Sequence, residues 1–593
     1  MIAPMTKYSF ILLSGEQGPF LEKLQELGLV DITRSVKPVD EKSLKQLEEI
    51  ELLDGLIRGL RRTEIPDGTE GEGSEKDIVE LAGSLLMRYN ALKEDLLRLN
   101  KELGNLRIWG SFDADIVEKL SEAGVPLHFH ILPRKQFKES WAEEYAMRLV
   151  AEQKGKCYFA VAGEDSLPGE ILPPEVSVAE KEKELAGKEE EFAHIMSLIA
   201  GAKERIPELE EKRRTIQAEL ELHLADAAAV RMAEEKVLTL VGYSPAENDA
   251  AVTAALDEYG VFYIKEEARV EDNPPISFRN NRFVRMFEPL TDMYGRPGYD
   301  GFDPTPFIAV FFLLFFAFCM GDAGYGLVLI IVGLFLRKVS SFKDMAPLVV
   351  TLGVGTTVIG FLFHTFFSLD ISEWAVFAPV KGVFLPSMIG GYDGTMVLSL
   401  AVGIVHICLA LIVKTVQATK TKGFLGSLGT WGWTLLIVGG VAVGAFALAG
   451  VMDKEVTKWT IIVLGSVSAV GIFLLNDLHR NPLLNIGSGL WETYNTVTGL
   501  LGDVLSYLRL YALGLAGCML GKSFNDIGLL ILGDGSGIAS WIFFILVVLV
   551  GHTLNVAMAA LGAFVHPLRL NFLEFFKNSG YEATGRPFKA LKK

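Results

Sequence analysis

Apolar and polar positions alternate along Lys7–Leu13, which predicts a strand; Gly18–Leu27 then reads as a helix and Leu29–Arg34 as a second strand. From Glu41 the chain turns to Leu, Glu, Lys and Arg. After an acidic, glycine-rich break at Pro66–Ser74, the residues Ile78, Leu81, Leu85, Leu92, Leu96, Leu99 and Leu103 form a coiled-coil seam with one gap, at Tyr89. A compact α/β stretch follows, with a strand near Arg107–Gly110, a helix over Ala114–Ala123, strands near Leu127–Leu132 and Tyr158–Ala162, and a stop at Pro173–Pro174. Glu180–Leu224 is a second charged helix. Leu185, Phe192, Ile199, Ile206 and Leu220 hold one heptad position, and Ile195, Ala202, Leu209 and Ile216 the other. Pro207 should kink this helix, and Arg213 interrupts its seam once. A strand–helix–strand unit over Lys236–Gly242, Ala246–Tyr259 and Val261–Lys265 closes this half.

Two long helices on either side of a compact segment imply an antiparallel hairpin with that segment at its tip. The expected organisation is a membrane-proximal α/β lobe (residues 1–40 with 236–275), a coiled-coil rod (41–104 and 175–235) and a distal α/β lobe (105–174). A polar lead-in (276–305) and a transmembrane domain (306–593) complete the chain. The fold class is therefore an α+β cytosolic half followed by an all-α polytopic membrane domain of about eight helices. The apolar runs that define the spans are Pro306–Met320, Ala323–Leu336, Met345–Phe367, Met396–Val413, Leu428–Ala449, Trp459–Leu475, Gly499–Leu520 and Trp541–Val565. The first two are short and joined by GDAGYG, as a tight hairpin would be.

Composition agrees with a charged half joined to an apolar one: 593 residues, 50% hydrophobic, net charge −17. The acidic balance excludes nucleic acid as a partner. Four cysteines show no disulfide or metal spacing, and no cofactor motif is present; the string AGCMLGKS lacks the first glycine of a Walker loop, so no catalytic ATP site is expected. The opening MIAPMTKYSFILLSGEQGPF lacks the basic head and cleavage site of a signal peptide. Basic residues follow the second, fourth, sixth and last spans (Arg337, Lys338, Lys343; Lys414, Lys420, Lys422; Arg480; Lys577 to Lys593). The opposite loops hold only Lys381, Lys454, Lys458 and Lys522. The positive-inside rule then places both ends of this multi-pass chain in the cytosol.

Candidate chemistry lies in the last two spans. Arg509 sits near the middle of an apolar run, where it costs about 2.5–3.5 kcal/mol on insertion scales. Gly502, Ser506, Arg509, Leu513 and Ala516 recur at helical steps and share one mostly small face, suited to the close approach of a partner helix. In the next span His552, Asn555, Ala559, Gly562, His566 and Arg569 form a second stripe among aliphatic residues. Two such faces in succession read as an ion path that looks outward at a partner. His364 and His406 stand singly and read as packing groups.

The motifs SYLRLYALGLAG (Ser506–Gly517), FVHPLRLNFLEFF (Phe564–Phe576), DPTPF with GDAGYG (Asp303–Gly326), GFLFHTFF (Gly360–Phe367) and the opening MIAPMTK resemble those of one family, in order along the whole chain. The family is subunit I of A/V-type rotary ATPases, the prokaryotic counterpart of the eukaryotic V-ATPase a subunit. The resemblance implies a membrane stator in the cell membrane, lying against a rotor ring of small membrane subunits (c/K type). It also implies H⁺ or Na⁺ half-channels and partners among peripheral-stalk (E/G type) and other rotary ATPase subunits. It places the family's essential arginine on Arg509, its second on Arg569, and a matching histidine on His566. Asn495, Ala559 and Gly517 depart from eukaryotic members, which carry acids at the first two and a histidine at the third. Glu492, Asp503 and His552 are the nearby groups that could substitute. A stand-alone ion-coupled secondary transporter is the alternative; it would show an internal repeat with interrupted helices, and none is evident.

Overall fold

A computed structural model describes the chain except residues 14, 34–39, 67–68, 70, 74–75, 110–113, 139, 154, 164–166, 172–177, 233–236, 340–341, 344, 373–381, 383, 474–481, 534–536 and 593, and except the side chains of 114–116, 118, 230–232, 482–485 and 488. β1 (Met5–Leu13), α1 (Gln17–Leu27) and β2 (Asp31–Ile32) lead into α2 (Glu41–Arg62) and α3 (Ile78–Leu106). Then come α4 (Ala114–Glu122), β3 (Leu127–Pro133), α5 (Trp141–Glu144), β4 (Met147–Gln153), β5 (Lys156–Ala162) and β6 (Glu170–Ile171). α6 (Val178–Glu204) and α7 (Ile206–Ala227) are followed by β7 (Val230–Met232), β8 (Val237–Pro245), α8 (Asp249–Tyr259) and β9 (Phe262–Glu267). The short α9 (Arg282–Arg285) and α10 (Glu288–Tyr294) precede the apolar helices. Residues 12–28, 32–240 and 591–593 form one compact unit; 1–11, 29–31 and 241–590 form the other.

In the first unit α2 packs on α7 and α3 on α6. Leu53, Leu56, Ile57 and Leu60 meet Ile78, Leu81, Ala82 and Leu85, together with Ile199, Ala202, Leu209 and Ile216, in one buried cluster. Tyr89, the gap in the seam, stacks on Phe192 at 5.5 Å between ring centroids. Arg213, the other interruption, pairs with Asp54 at 3.3 Å. Pro207 does more than kink: one helix ends at Glu204 and another starts at Ile206, with proline in its first turn, where no N–H is needed. Asp40 starts α2 through a capping box with Ser43 and also meets His223 Nε2 at 2.6 Å.

The compact α/β part of this unit is an antiparallel sheet in the order β4-β5-β3-β6, with Leu127 opposite Ala162. The expected strand near Arg107 is absent: residues 107–109 form a 3₁₀ turn, and Gly110 lies outside the described residues. Trp109 instead sets its ring edge-on against Phe129 and Tyr158.

In the second unit β1 and β9 pair antiparallel, Thr6 opposite Glu267 through Ile11 opposite Phe262, within the order β2-β8-β1-β9. Tyr8 donates to Asp249 at 2.7 Å. The lead-in is clamped by the chain beyond residue 580: Ile276 N–H donates to Arg586 O (2.7 Å), Phe588 N–H to Ile276 O (3.0 Å) and Tyr581 OH to Gly295 O (2.6 Å).

The apolar helices are α11 (Thr305–Met320), α12 (Ala323–Leu336), α13 (Ala346–Leu362), α14 (Gly394–Gly426), α15 (Leu428–Leu448), α16 (Lys454–Phe473), α17 (Pro482–Ser506), α18 (Leu508–Leu532) and α19 (Ile538–Arg569), the last continuing through a π-helical turn (Leu570–Phe575) into α20 (Phe576–Ser579). Five stretches are long and apolar enough to cross a membrane: Gly394–Gly426, Leu428–Leu448, Lys454–Phe473, Gly489–Leu532 and Ile538–Ser579. α11, α12 and α13 are apolar but shorter, about 21–26 Å at 1.5 Å per residue. α11 is buried on nearly every side, its phenylalanines forming the centre of a core that also takes in Tyr507, Phe575 and Phe576. α12 and α13 lie so close that a Cβ on Gly353 would come within 2.8 Å of Ile330 N. The run Gly499–Leu520, expected as one helix, straddles the junction of α17 and α18 at Tyr507, which is fully buried.

Ser43 hydrogen bonds, then His223, hold the Asp40 carboxyl down to about 2 from its ordinary 3.8. A carboxyl depressed by folding stabilises the fold above its unfolded pKa and loses that contribution as pH falls through the folded value. Asp40→Ala should therefore lower the melting temperature of the intact protein at pH 7, and the difference from wild type should vanish between about pH 4 and pH 2.

Candidate functional site

Tyr507 is wedged among Phe315, Gly403 and His406, and its hydroxyl meets His406 Nδ1 at 2.9 Å. His406 is itself fully buried and lies flat on Phe575, 4.8 Å between centroids. This packing fixes the α17–α18 junction. Two residues further on Arg509 is half-buried, and its Nη1 has no hydrogen-bond partner among the described residues. A Cβ on Gly562 would lie 3.9 Å from both Leu513 and His566, so the two stripes meet each other along α18 and α19.

Two cavities lie to either side of Arg509 along the chain, one half polar and one largely apolar. One, of about 280 Å³, is lined by Glu492, Asn495, Asp503, Lys414, Lys577 and Asn578. Asp503 accepts from Lys577 Nζ at 3.2 Å on both oxygens and from Asn578 Nδ2 at 2.8 Å. The other, of about 200 Å³, lies beside Leu510, Gly514 and Cys518; its wall is mostly apolar (Phe318, Phe363, Leu385, Pro386), with His364, Thr365, Ser387, Asp393 and Thr395 as its polar groups. Asp503 is six residues before Arg509, across the α17–α18 junction, and Cys518 is nine after it, about 13.5 Å along α18.

The far cavity's wall is held by a buried carboxylate. β10 (Thr365–Phe366) and β11 (Leu369–Asp370) form a hairpin in which His364, Phe367 and Ser368 all take left-handed backbone, at φ 52, 46 and 59. Each is costly for a residue with a side chain and needs support from its surroundings. Asp322 provides it, accepting from the N–H groups of Phe367 (2.9 Å) and Ser368 (2.5 Å) while capping α12 through Gly324 (2.8 Å) and Tyr325 (3.2 Å). Beyond it the strands β12 (Met388–Ile389) and β13 (Tyr392–Asp393) form a second small hairpin.

The stripe on α19 divides. His552 and Asn555 are buried in a network within the chain: Asn555 Nδ2 donates to Tyr325 OH and to Gly517 O, both at 2.8 Å. Tyr325 OH must then donate to His552 Nδ1 (2.8 Å), and His552 Nε2–H to Asn525 Oδ1 (2.9 Å). Asn555 is only 1% exposed, so this end does not look outward as the periodicity suggested. His566 is half-buried with Nδ1 unpartnered among the described residues, and Arg569 is exposed. Ser506 Oγ donates to Gly502 O at 3.1 Å. The structure thus gathers Asp503 and Glu492 at one cavity and Ser506, Arg509 and His566 at the junction, and sets His552 and Asn555 apart.

Tyr325, Asn525, Asn578, Lys577 and Glu574 were not singled out from sequence. Only Glu574 carried a readable signal, an acid inside the apolar run FLEFF. Among the described residues no group of His, Cys, Asp and Glu could hold a metal ion.

The fold and site define a polytopic membrane protein in which a half-buried arginine stands between two cavities along the chain, one half polar and one largely apolar. Residues 173–347 and 491–593 match the model of the V-type ATPase 116 kDa subunit family. The A-type ATP synthase subunit I of Methanocaldococcus jannaschii is 30% identical over 84% of this chain and 74% of its own length. The V-type ATP synthase subunit I 1 of Treponema pallidum is 27% identical over 99% of both chains, and the subunit I of Borreliella burgdorferi 25% identical over the whole of both. This chain belongs to the V-type ATPase 116 kDa subunit family.

Tyr325→Phe removes the hub of the buried network and leaves His552 Nδ1 without its donor. It should cost about 1–3 kcal/mol of stability, read as a lower melting temperature, while ion uptake at low temperature persists.

Proposed function

We propose that this chain is the membrane stator of an A/V-type rotary ATP synthase, with Arg509 separating two ion half-channels that open onto a rotor ring of small helical subunits. The observation that carries the reading is Arg509 itself, half-buried with its Nη1 unpartnered among the described residues, with the polar cavity of Glu492, Asn495 and Asp503 before it along the chain and a second, more apolar cavity after it. The cavity at Asp503 and Glu492 serves the cytosolic side, where Lys414 and Lys577 lie by the positive-inside rule. The cavity at His364 and Asp393 serves the opposite side. The other unit of the chain carries peripheral stalks of E/G type, with residues 105–174 as the lobe furthest from the lipid bilayer. ATP chemistry belongs to other subunits.

The physics is a competition for one proton or sodium ion. A ring carboxylate crosses lipid only when neutral. Beside a fixed guanidinium it prefers the charged form: at ~4 Å and an effective dielectric of 20 the attraction is roughly 4 kcal/mol. That corresponds to about three pKa units before desolvation is subtracted. Arg509 therefore drives release into one cavity and bars direct passage between the two, so rotation must intervene between loading and release. Arginine suits the task because it stays protonated in poor dielectric. Arg569, exposed on α19, adds a second positive charge. Asn555 and His552 act as scaffold for the far cavity's wall through Tyr325.

Arg509→Lys and Arg509→Ala should leave the complex assembled and abolish coupled transport. ATP-driven ion uptake into vesicles, with subunit content checked on the same preparation, decides it. Normal uptake by either variant would exclude this reading.

A further inference from the structure

Helices α15 and α16 carry an open apolar groove that the stator reading leaves unused. Its floor is where the two helices touch: a Cβ on Gly471 would lie 3.2 Å from Gly432 Cα, and one on Gly432 3.1 Å from Ser468 O. Glycines at the crossing let the backbones meet, so that larger neighbours stand up as walls. Two cavities, of about 320 and 410 Å³, meet there and share Leu435 and Val467. Trp431 lines one and Trp459 the other. No charged side chain lines either, and the hydroxyl of Thr460 is spent on Val456 O at 2.8 Å. Leu435 is 40% exposed and Val467 55%, so the described residues leave the groove uncovered. From Trp459 to Gly471 α16 rises roughly 18 Å, close to the ~15 Å depth of one leaflet of a bilayer core about 30 Å thick.

The Trp431 end is cationic. Trp431 Nε1–H donates to Thr419 Oγ1 at 3.0 Å, which ties the ring to α14. Thr415, Thr419 and Lys422 follow at steps of four and three and share one face of α14. That face is turned to α15, because Thr415 and Thr434 join hydroxyls at 2.5 Å. Lys420 and Lys422 are exposed and form no ion pair among the described residues. At the Trp459 end, by contrast, Lys454 and Lys458 are offset by Asp453 and Glu455.

We propose that this groove holds one anionic glycerophospholipid, with an acyl chain lying between Trp431 and Trp459 and its phosphate against Lys420 and Lys422. The positive-inside rule makes that end cytosolic, so the lipid comes from the cytosolic leaflet, with Trp431 at headgroup level. In a bilayer, filling an apolar groove gains no hydrophobic drive. Retention rests on fitted dispersion contacts along the tail and on charge at the head. A zwitterionic lipid offers the same tail without the net charge. Spread along the groove, the two volumes leave a furrow narrower than a helix of about 10–12 Å diameter, whereas a polymethylene chain fits.

The test uses the intact complex, solubilised, stripped of loosely held lipid and titrated with phosphatidylglycerol or phosphatidylcholine while native mass spectrometry counts bound lipid. Wild type should retain one more phosphatidylglycerol per copy of this chain than Leu435→Trp, whose indole fills the groove. Lys420→Gln combined with Lys422→Gln should weaken phosphatidylglycerol binding by roughly 10–30-fold at low salt and leave phosphatidylcholine unchanged. Both lysines are exposed, so this variant decides the matter even if Leu435→Trp fails to assemble. Equal retention by wild type and either assembled variant overturns the proposal, as does equal affinity of wild type for the two headgroups. A cysteine placed at Val467 that cross-links to another subunit in native membranes overturns it too, because protein would then cover the groove.

Discussion

A guanidinium inside an apolar helix bundle has to be kept charged, aimed and only partly paired, and the second unit is arranged around that constraint. Full pairing would silence Arg509 towards any outside carboxylate, and no compensation would expel it from the apolar phase. The observed state lies between: Arg509 is half-buried, its Nη1 has no hydrogen-bond partner among the described residues, and one half-polar and one largely apolar cavity lie to either side of it along the chain. Precise aim comes from Tyr507, whose ring and hydroxyl lock the α17–α18 junction against α11 and α14.

Rigidity of the surroundings follows from aromatic packing rather than from charge. α11 is rich in phenylalanine, buried on nearly every side and without a polar face, as expected of a helix enclosed by others. By contrast α19 exposes Ile542, Ile545, Leu546 and Leu549, an apolar surface suited to lipid. The buried polar groups of the far side are tied into one network running from Asp322 through the 364–370 hairpin to Asn525, His552 and Asn555. Buried polar groups that are fully paired specify geometry, and unpaired ones mark where chemistry has been left open. In this fold Asn555 is of the first kind, and Arg509 and Glu574 of the second.

Much of this was legible in the sequence, for reasons that differ by element. Heptad leucines and long apolar runs place helices because burial repeats with helical period, and α2, α3, α6 and α7 do meet along those residues. Strands β3 and β5 alternate and were found; β4 was not, because Arg148, Leu149 and Val150 are all exposed and carry no period of two. Trp109 misled because an aromatic beside an isoleucine favours a strand, whereas its ring packs on the sheet from a 3₁₀ turn. Periodicity brought His552, Asn555 and His566 onto one face but could not say what covers each. Tyr325, 230 residues from Asn555, decides that. The junction at Tyr507 and the π turn after Pro567 lie outside what a fixed helical period can express.

The central claim is that Arg509 divides two aqueous spaces that open to opposite sides of the membrane. Single cysteines at Asn495 and at Ser387, in a complex whose native cysteines have been replaced, test it directly. In sealed vesicles of known orientation, a membrane-impermeant maleimide should label position 495 only from the cytosolic side and position 387 only from the other. Labelling of both from one side would mean that the two cavities belong to a single space, and Arg509 could not be the barrier between them.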